Sequence, residues 1–231
     1  QIPLLHSGRQ SLQKSRRKLQ ENLKELEGGA IFSHSRHFFK NMNKSIEIEL
    51  KFKIDNNQIK KIMGNSDVIL EKEVYQKTVM FDNADKLMEH TDGRIRLRQQ
   101  GNKISLSYKR PLPSVGNEKK EVELETEVGN FEVMSNILRT MGYAPTTSYE
   151  KYTTFFKLKG QPEIHIEIQK YPFETFLEIE GSKEEIEKTA KQLGFDAKDA
   201  LVKPADTLFT EWRIAKGLPL KLHMTFKDYD K

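Results

Sequence analysis

Residues 46–53 read Ile-Glu-Ile-Glu-Leu-Lys-Phe-Lys, apolar and charged side chains in strict alternation. A period of two belongs to a β-strand, whose successive side chains leave on opposite faces. One face holds Ile46, Ile48, Leu50 and Phe52; the other holds Glu47, Glu49 and Lys51. The alternation returns downstream. Arg94, Arg96 and Arg98 alternate with Ile95 and Leu97, and Ser105, Ser107 and Lys109 with Ile104, Leu106 and Tyr108. Between these two runs Gly101-Asn102 marks a tight hairpin. Glu121, Glu123, Glu125 and Glu127 stand against Val122, Leu124 and Val128. His165 and Glu167 lie among three isoleucines, and Glu178 and Glu180 oppose Leu177 and Ile179. Less regular runs at 74–81 and 150–158 bring the count to about eight strands.

Helical spacing falls between and after the strands. Phe131, Met134, Ile137, Leu138 and Met141 recur on one face and stop at Gly142. Ser182 and Glu185 read as a capping box ahead of Ile186, Ala190 and Leu193, with Gly194 past the end. Leu208 and Trp212 share a face of a last helix ending near Gly217. The order is strand, helix, four strands, helix, three strands and two helices, which predicts one antiparallel α+β domain.

Composition narrows the function classes. With 231 residues the chain can bury a sizeable core without staples. The absence of cysteine excludes a disulfide scaffold, a thiolate metal site and a cysteine nucleophile. No apolar run approaches the roughly 18 residues of a membrane span, and the start lacks the apolar stretch of a secretory signal, so a cytoplasmic protein without membrane contact is expected. The net charge of +5 resides in residues 1–41, with eight Lys/Arg against three Asp/Glu, leaving 31 of each sign elsewhere. The main domain therefore makes no electrostatic case for nucleic acid. Leu12, Leu19, Leu23 and Leu26 give the leader a weak amphipathic helix. The expected division is a basic extension at 1–42, a domain at 43–222 and a tail at 223–231.

The charges are sorted by strand, which an ordinary solvated sheet face does not require. Single-sign blocks repel along their own strand unless opposite charge lies across from them. A sheet closed with its charged faces inward would supply that; an open sheet with a solvated charged face is the alternative that periodicity leaves standing. Residues two apart on a strand project from one face, roughly 6.5 Å apart. Glu47 with Glu49, and Glu178 with Glu180, can thus each offer oxygens to Mg²⁺ or Mn²⁺. Lys51 adds a cation beside the acids, and Arg96, Arg98, Lys109 and Lys151 are candidate phosphate ligands. No phosphate-binding glycine loop, dinucleotide fingerprint or HExxH motif competes.

These residues resemble the CYTH, or triphosphate tunnel metalloenzyme, superfamily. Glu47-Ile48-Glu49-Leu50-Lys51 is similar to its ExExK signature. In the family's order follow the arginine strand at 94–98, Ser107-Tyr108-Lys109 like its T-x-K, the glutamate strand at 121–125, and Phe176-Leu177-Glu178-Ile179-Glu180-Gly181 like its F-x-E-I-E-G. Residues 141–151 and the helix after Gly181 look most like the class IV adenylyl cyclase branch. The resemblance implies an eight-stranded antiparallel β-tunnel, a closed barrel with a charged interior and helices outside, holding a triphosphate end-on. It implies Glu47, Glu49 and Lys51 as catalytic residues. Metal ligands would come from Glu47, Glu49, Glu178, Glu180, Glu167, Glu123 and Glu125, and phosphate contacts from Lys51, Arg96, Arg98, Lys109 and Lys151.

The implied activity is cyclisation of ATP to cyclic AMP and pyrophosphate. Alternatives are a triphosphatase acting on inorganic or organic triphosphate and a non-catalytic polyphosphate or nucleotide binder. A homodimer stays open. Three positions depart from the family pattern. Thr153 stands where an arginine is common, Glu167 replaces an aspartate, and Glu174-Thr175 replaces Gly-Asp.

Overall fold

In the computed structural model, which describes residues 46–228, the chain runs β1 (Ile46–Lys53), α1 (Asn56–Met63), β2 (Val68–Asn83), α2 (Leu87–Thr91), β3 (Arg94–Gln100), β4 (Lys103–Pro111) and β5 (Lys119–Glu127). It continues α3 (Phe131–Thr140), β6 (Tyr143–Leu158), β7 (Gln161–Lys170), β8 (Thr175–Glu180), α4 (Lys183–Leu193), α5 (Ala205–Ala215) and β9 (His223–Met224). The leader helix expected around Leu12–Leu26 lies outside the described residues.

Strands pair antiparallel in the order β2-β3-β4-β5-β1-β8-β7-β6, and β6 returns to β2 along almost its whole length. The sheet is therefore a closed ring of eight strands, as the resemblance implied and not the open sheet that periodicity had left standing. β2 and β6 are each 16 residues long, far beyond the expected 74–81 and 150–158. Their pairing shifts register between Leu70 and Lys72 and again between Val79 and Phe81. A bulge switches which residues face inward, so the long strands show no single period in sequence. The segment read as a tail is partly built in: β9 pairs in parallel with β6 at Ser148 and Tyr149, and Met224 is buried.

Apolar residues of the alternating strands point outward under the helices. Leu50, Phe52, Ile166, Ile168, Leu177 and Ile179 form one core with Ile62 of α1 and Ile186, Ala190 and Leu193 of α4. On the other flank Phe81 and Leu97 pack with Leu138 of α3. Gly181 permits the close approach of α4, because a Cβ there would meet Ile164 Cδ1 at 2.6 Å.

The capping box sits at a different helix from the one expected. Asp55 accepts from the Asn57 and Gln58 amides while Gln58 accepts from the Asp55 amide, closing the motif on α1. At α4, Ser182 instead donates its hydroxyl to the Glu185 carboxylate at 2.6 Å. The acid competes successfully for the hydroxyl.

β5 pairs with β1 only as far as Glu49, so the second half of β1 has no strand on that side. The Leu201 amide fills in, donating to the Lys51 carbonyl at 2.7 Å. The chain then enters α5, whose Ala205 and Phe209 pack with Tyr171 and Phe176 at one end of the ring. α5 thus differs from the other helices: its first turn reaches the interior.

A candidate triphosphate site in the charged lumen

Because the helices cover the apolar outer face of the ring, the charged faces of its period-two strands line the inside. The interior cavity is lined by Glu47, Glu49 and Lys51 of β1, Arg94, Arg96 and Arg98 of β3, Lys109 of β4 and Lys119 of β5. Met80 of β2, Tyr149 and Lys151 of β6, His165, Glu167 and Gln169 of β7 with Tyr171 just beyond it, Glu178 and Glu180 of β8, and Pro204-Ala205-Asp206 complete it. Glu123 and Glu125 pair with Arg96, and Glu123 also with Lys109, but neither is among the residues that line the cavity.

On one side of the lumen the cations and carboxylates are knitted together. Lys51 Nζ lies 2.8 Å from Glu178 and 3.6 Å from Glu49, and Lys119 Nζ lies 3.0 Å from Glu49. Lys109 bonds Glu47 and lies 2.7 Å from Glu123. Arg96 reaches Glu123 at 3.0 Å, Glu125 at 3.4 Å and the Ser107 hydroxyl at 2.9 Å. Arg94 bonds the fully buried Glu121. Gln169 donates to Glu167 at 2.7 Å and also to Glu178, holding two carboxylates with one amide.

Burial works against the Glu49 carboxylate, but Lys119, Lys51 and Lys109 outweigh it and hold its pKa well below the usual range. Burial likewise opposes the Lys51 ammonium, yet Glu178 and Glu49 keep its pKa above the ordinary lysine value. Glu47 and Glu180 behave differently. Burial, with repulsion from Glu49 and Glu123, pushes Glu47 up to about 8 despite Lys109. Burial pushes Glu180 up to about 7, with Glu167, Glu49 and Glu123 adding to it.

Crowded carboxyls with raised pKa are oxygen donors short of positive charge, which is what a hard divalent cation supplies. Glu47 and Glu180 therefore fit Mg²⁺ or Mn²⁺ chemically, and Glu49 and Glu178, each two positions away on the same strand face, would add oxygens now held by lysines. Among the described residues no three carboxylates or imidazoles stand preassembled as a ligand cage, because the lysines occupy their oxygens.

The other side of the lumen carries positive charge with no counter-ion. Among the described residues neither Arg98 nor Lys151 has a carboxylate within 4 Å. Lys151 is only 3% exposed, with its ammonium 5.4 Å from the centre of the Tyr171 ring. Burial and the Arg98 guanidinium bring its pKa down to about 8. Burial would raise the Tyr149 phenol, but Arg98, Arg96 and Lys151 draw it down to about 8.

Of the positions that depart from the family pattern, Thr153 is wholly buried; it donates to Gln76 at 3.2 Å, and Gln76 donates to Gln100 at 2.8 Å. Neutral hydrogen bonds thus fill the space of the expected arginine. Glu174 lies outside the lumen, 2.6 Å from Lys53.

Several lumen residues escaped the sequence. Lys119, Tyr149 and Gln169 each stand two positions from a residue that was recognised, so the period held their signal. The first turn of α5 had none, because it arrives through tertiary packing. No helix among the described residues is long and apolar enough to cross a membrane.

Comparison with known proteins agrees with this geometry. The CYTH domain family matches residues 45–206. A protein of Methanocaldococcus jannaschii, provisionally named an adenylate cyclase, is 25% identical over 151 residues, 64% of this chain and 83% of its own length. A protein of Pyrococcus horikoshii superposes with a TM-score of 0.59 at 24% identity, over 68% of this chain and 96% of its own. A protein from Hippeastrum, provisionally named an adenylyl cyclase and described as having a dominant triphosphatase activity, superposes with a TM-score of 0.53 at 16% identity, over 76% of this chain and 98% of its own.

Proposed function

The chain belongs to the CYTH domain family, and on that premise we propose that it is a divalent-metal-dependent enzyme that binds a triphosphate end-on in the lumen and hydrolyses it. The observation that carries this is the pair of cations without counter-ions, Arg98 and buried Lys151, facing a carboxylate-rich wall across one cavity. A buried, unpaired ammonium is costly, and it is kept where an anion completes it.

Glu47, Glu49, Glu178 and Glu180 would hold Mg²⁺ or Mn²⁺, which when bound supplies neutralisation of phosphoryl charge. Lys51, Lys109 and Arg96 would then exchange carboxylate partners for phosphate oxygens, with arginine gripping two oxygens and lysine acting as a point charge. Buried walls keep bulk water from screening these contacts. Water attacks the terminal phosphorus, the bond to the bridging oxygen breaks, and orthophosphate leaves.

Hydrolysis is preferred to cyclisation because the lumen wall is almost wholly charged or hydrogen-bonding. Met80, Tyr149, Tyr171 and the start of α5 are all it offers to a nucleoside. Cyclisation of ATP is the second reading, favoured by the name of the M. jannaschii relative. A product assay with Mg²⁺ or Mn²⁺ separates them. Orthophosphate from inorganic triphosphate supports hydrolysis; cyclic AMP with pyrophosphate from ATP supports cyclisation. Neither product, with triphosphate still protecting the fold against heat, would make the protein a binding module.

A further inference from the structure

One row of side chains crosses the lumen wall where the ion pairs stop. Thr78 of β2 is directly paired with Arg98 of β3 on one side and with Tyr149 of β6 on the other. Directly paired residues share a face, so all three project toward the cavity that Arg98 and Tyr149 line. Thr78 is wholly buried, and among the described residues neither its hydroxyl nor Arg98 Nε makes a hydrogen bond of good geometry, although the Tyr149 phenol draws on both the Thr78 hydroxyl and the Arg98 guanidinium. Few buried side-chain polar atoms among the described residues are in this state, and two of them are neighbours in this row. Orphaned buried donors are rare in folded proteins because each forfeits its bonds to water. Two side by side point to an absent acceptor.

We propose that Thr78 and Tyr149 complete a phosphate-oxygen subsite with Arg98, the two hydroxyls donating hydrogen bonds to a phosphoryl group whose charge Arg98 and Lys151 balance. The inference rests on the triphosphate reading above. A metal does not suit the row, since a guanidinium, an ammonium and hydroxyls next to them offer protons rather than lone pairs. Among the described residues the other lumen cations, Lys151 apart, each have a glutamate, whereas this row contains no carboxylate. Tyr149 is held in place by its ring, 5.8 Å from that of Tyr171. The subsite also accounts for Thr153. The Thr153 hydroxyl proton is committed to the Gln76 carbonyl oxygen and is not available to an anion. The donors that the missing arginine would have supplied are found instead on Tyr149, four residues earlier on the same inward face of β6, and on Thr78 across from it.

The test is calorimetric titration of inorganic triphosphate, without metal, into the full chain and into Thr78→Val, Thr78→Ser and Tyr149→Phe. The valine and phenylalanine variants each delete one hydroxyl and keep the shape. Each should weaken binding about tenfold, the worth of one hydrogen bond to a charged group. Thr78→Ser should bind like the unaltered protein. Thr78→Val should also hold or raise the thermal midpoint of the ligand-free protein, since it removes an unsatisfied buried hydroxyl; a purely structural hydroxyl would lower it. If the unaltered chain binds triphosphate and the variants bind it equally well, the subsite is refuted and the triphosphate reading stands. If the unaltered chain binds no triphosphate, both fall. Loss of binding that tracks a fall in thermal midpoint in both variants would make the hydroxyls structural and overturn the subsite.

Discussion

Replacing Lys151 by methionine should make the empty protein more stable and the liganded protein weaker. The side chain is 3% exposed and has no carboxylate partner, and burial with Arg98 lowers its pKa from 10.5 to about 8. At about 1.4 kcal/mol for each tenfold change, a displacement of that size corresponds to roughly 3 kcal/mol against the charged form. The folded value lies below the unfolded one, so the native state binds fewer protons between pH 8 and 10.5. The penalty is therefore complete at pH 7 and is relieved as the pH rises toward the unfolded value. Methionine keeps most of the volume and carries no charge. It forfeits the contact of the ammonium with the Tyr171 ring, worth about 1 kcal/mol. The net gain is about 2 kcal/mol at pH 7, or a rise of roughly 4–8 °C in thermal midpoint for a domain of this size. Inorganic triphosphate should raise the midpoint of the unaltered protein strongly and that of Lys151→Met far less. Thermal unfolding at pH 7, with and without triphosphate, reads both effects. A lower midpoint for the empty variant would refute the idea that Lys151 is held at a cost until an anion arrives.

Glu49→Gln should abolish metal-dependent turnover and lower stability by about 3 kcal/mol, because Lys119 and Lys51 lose a buried partner; retained activity would remove Glu49 from the metal site. Mg²⁺ or Mn²⁺ added near pH 6 should release protons, since Glu47 and Glu180 titrate at about 8 and about 7 in the free protein. Calorimetry in buffers of different ionisation enthalpy counts those protons, and a count of zero would contradict the raised values. The same two groups bind more protons folded than unfolded, so without metal their contribution to stability is fullest below about pH 4.5 and is lost as the pH rises through 7 and 8. A denaturation series from pH 5 to 9 would show the slope. Deleting residues 1–41 should leave triphosphate cleavage intact, because the family match begins at residue 45; loss of cleavage would give the extension a part in the site.

Strands whose two faces differ throughout were legible in the sequence. β1, β3, β4, β5 and β8 each keep one period, and residues two apart on one face stay together in any sheet. That is why Glu47 with Glu49, Arg96 with Arg98, and Glu178 with Glu180 were found as pairs before any fold was known. Alternation could not say whether the charged face met water or another wall, since either satisfies a period of two. The closure of β6 onto β2 decides it, and that contact joins residues 85 to 90 positions apart at its Val68 end. Bulges at Leu70 and Val79 hid the long strands for the same reason, by shifting the inward face partway along.

The sequence by itself determined which charges travel together; the tertiary structure alone decided which of them are neutralised. Lys109 and Lys151 look alike in sequence, each a lysine on an alternating strand. Lys109 lies between Glu47 and Glu123, drawn from β1 and β5, whereas Lys151 faces Tyr149, Tyr171 and Arg98. Pairing depends on side chains meeting across the ring at separations set by strand order and stagger, which no local pattern encodes. The first turn of α5 enters the lumen for a similar reason, because Leu201 just ahead of it fills the gap beside β1 where β5 ends. Charge pattern is local and can be read along the chain; compensation is a contact, and it exists only once the ring has closed.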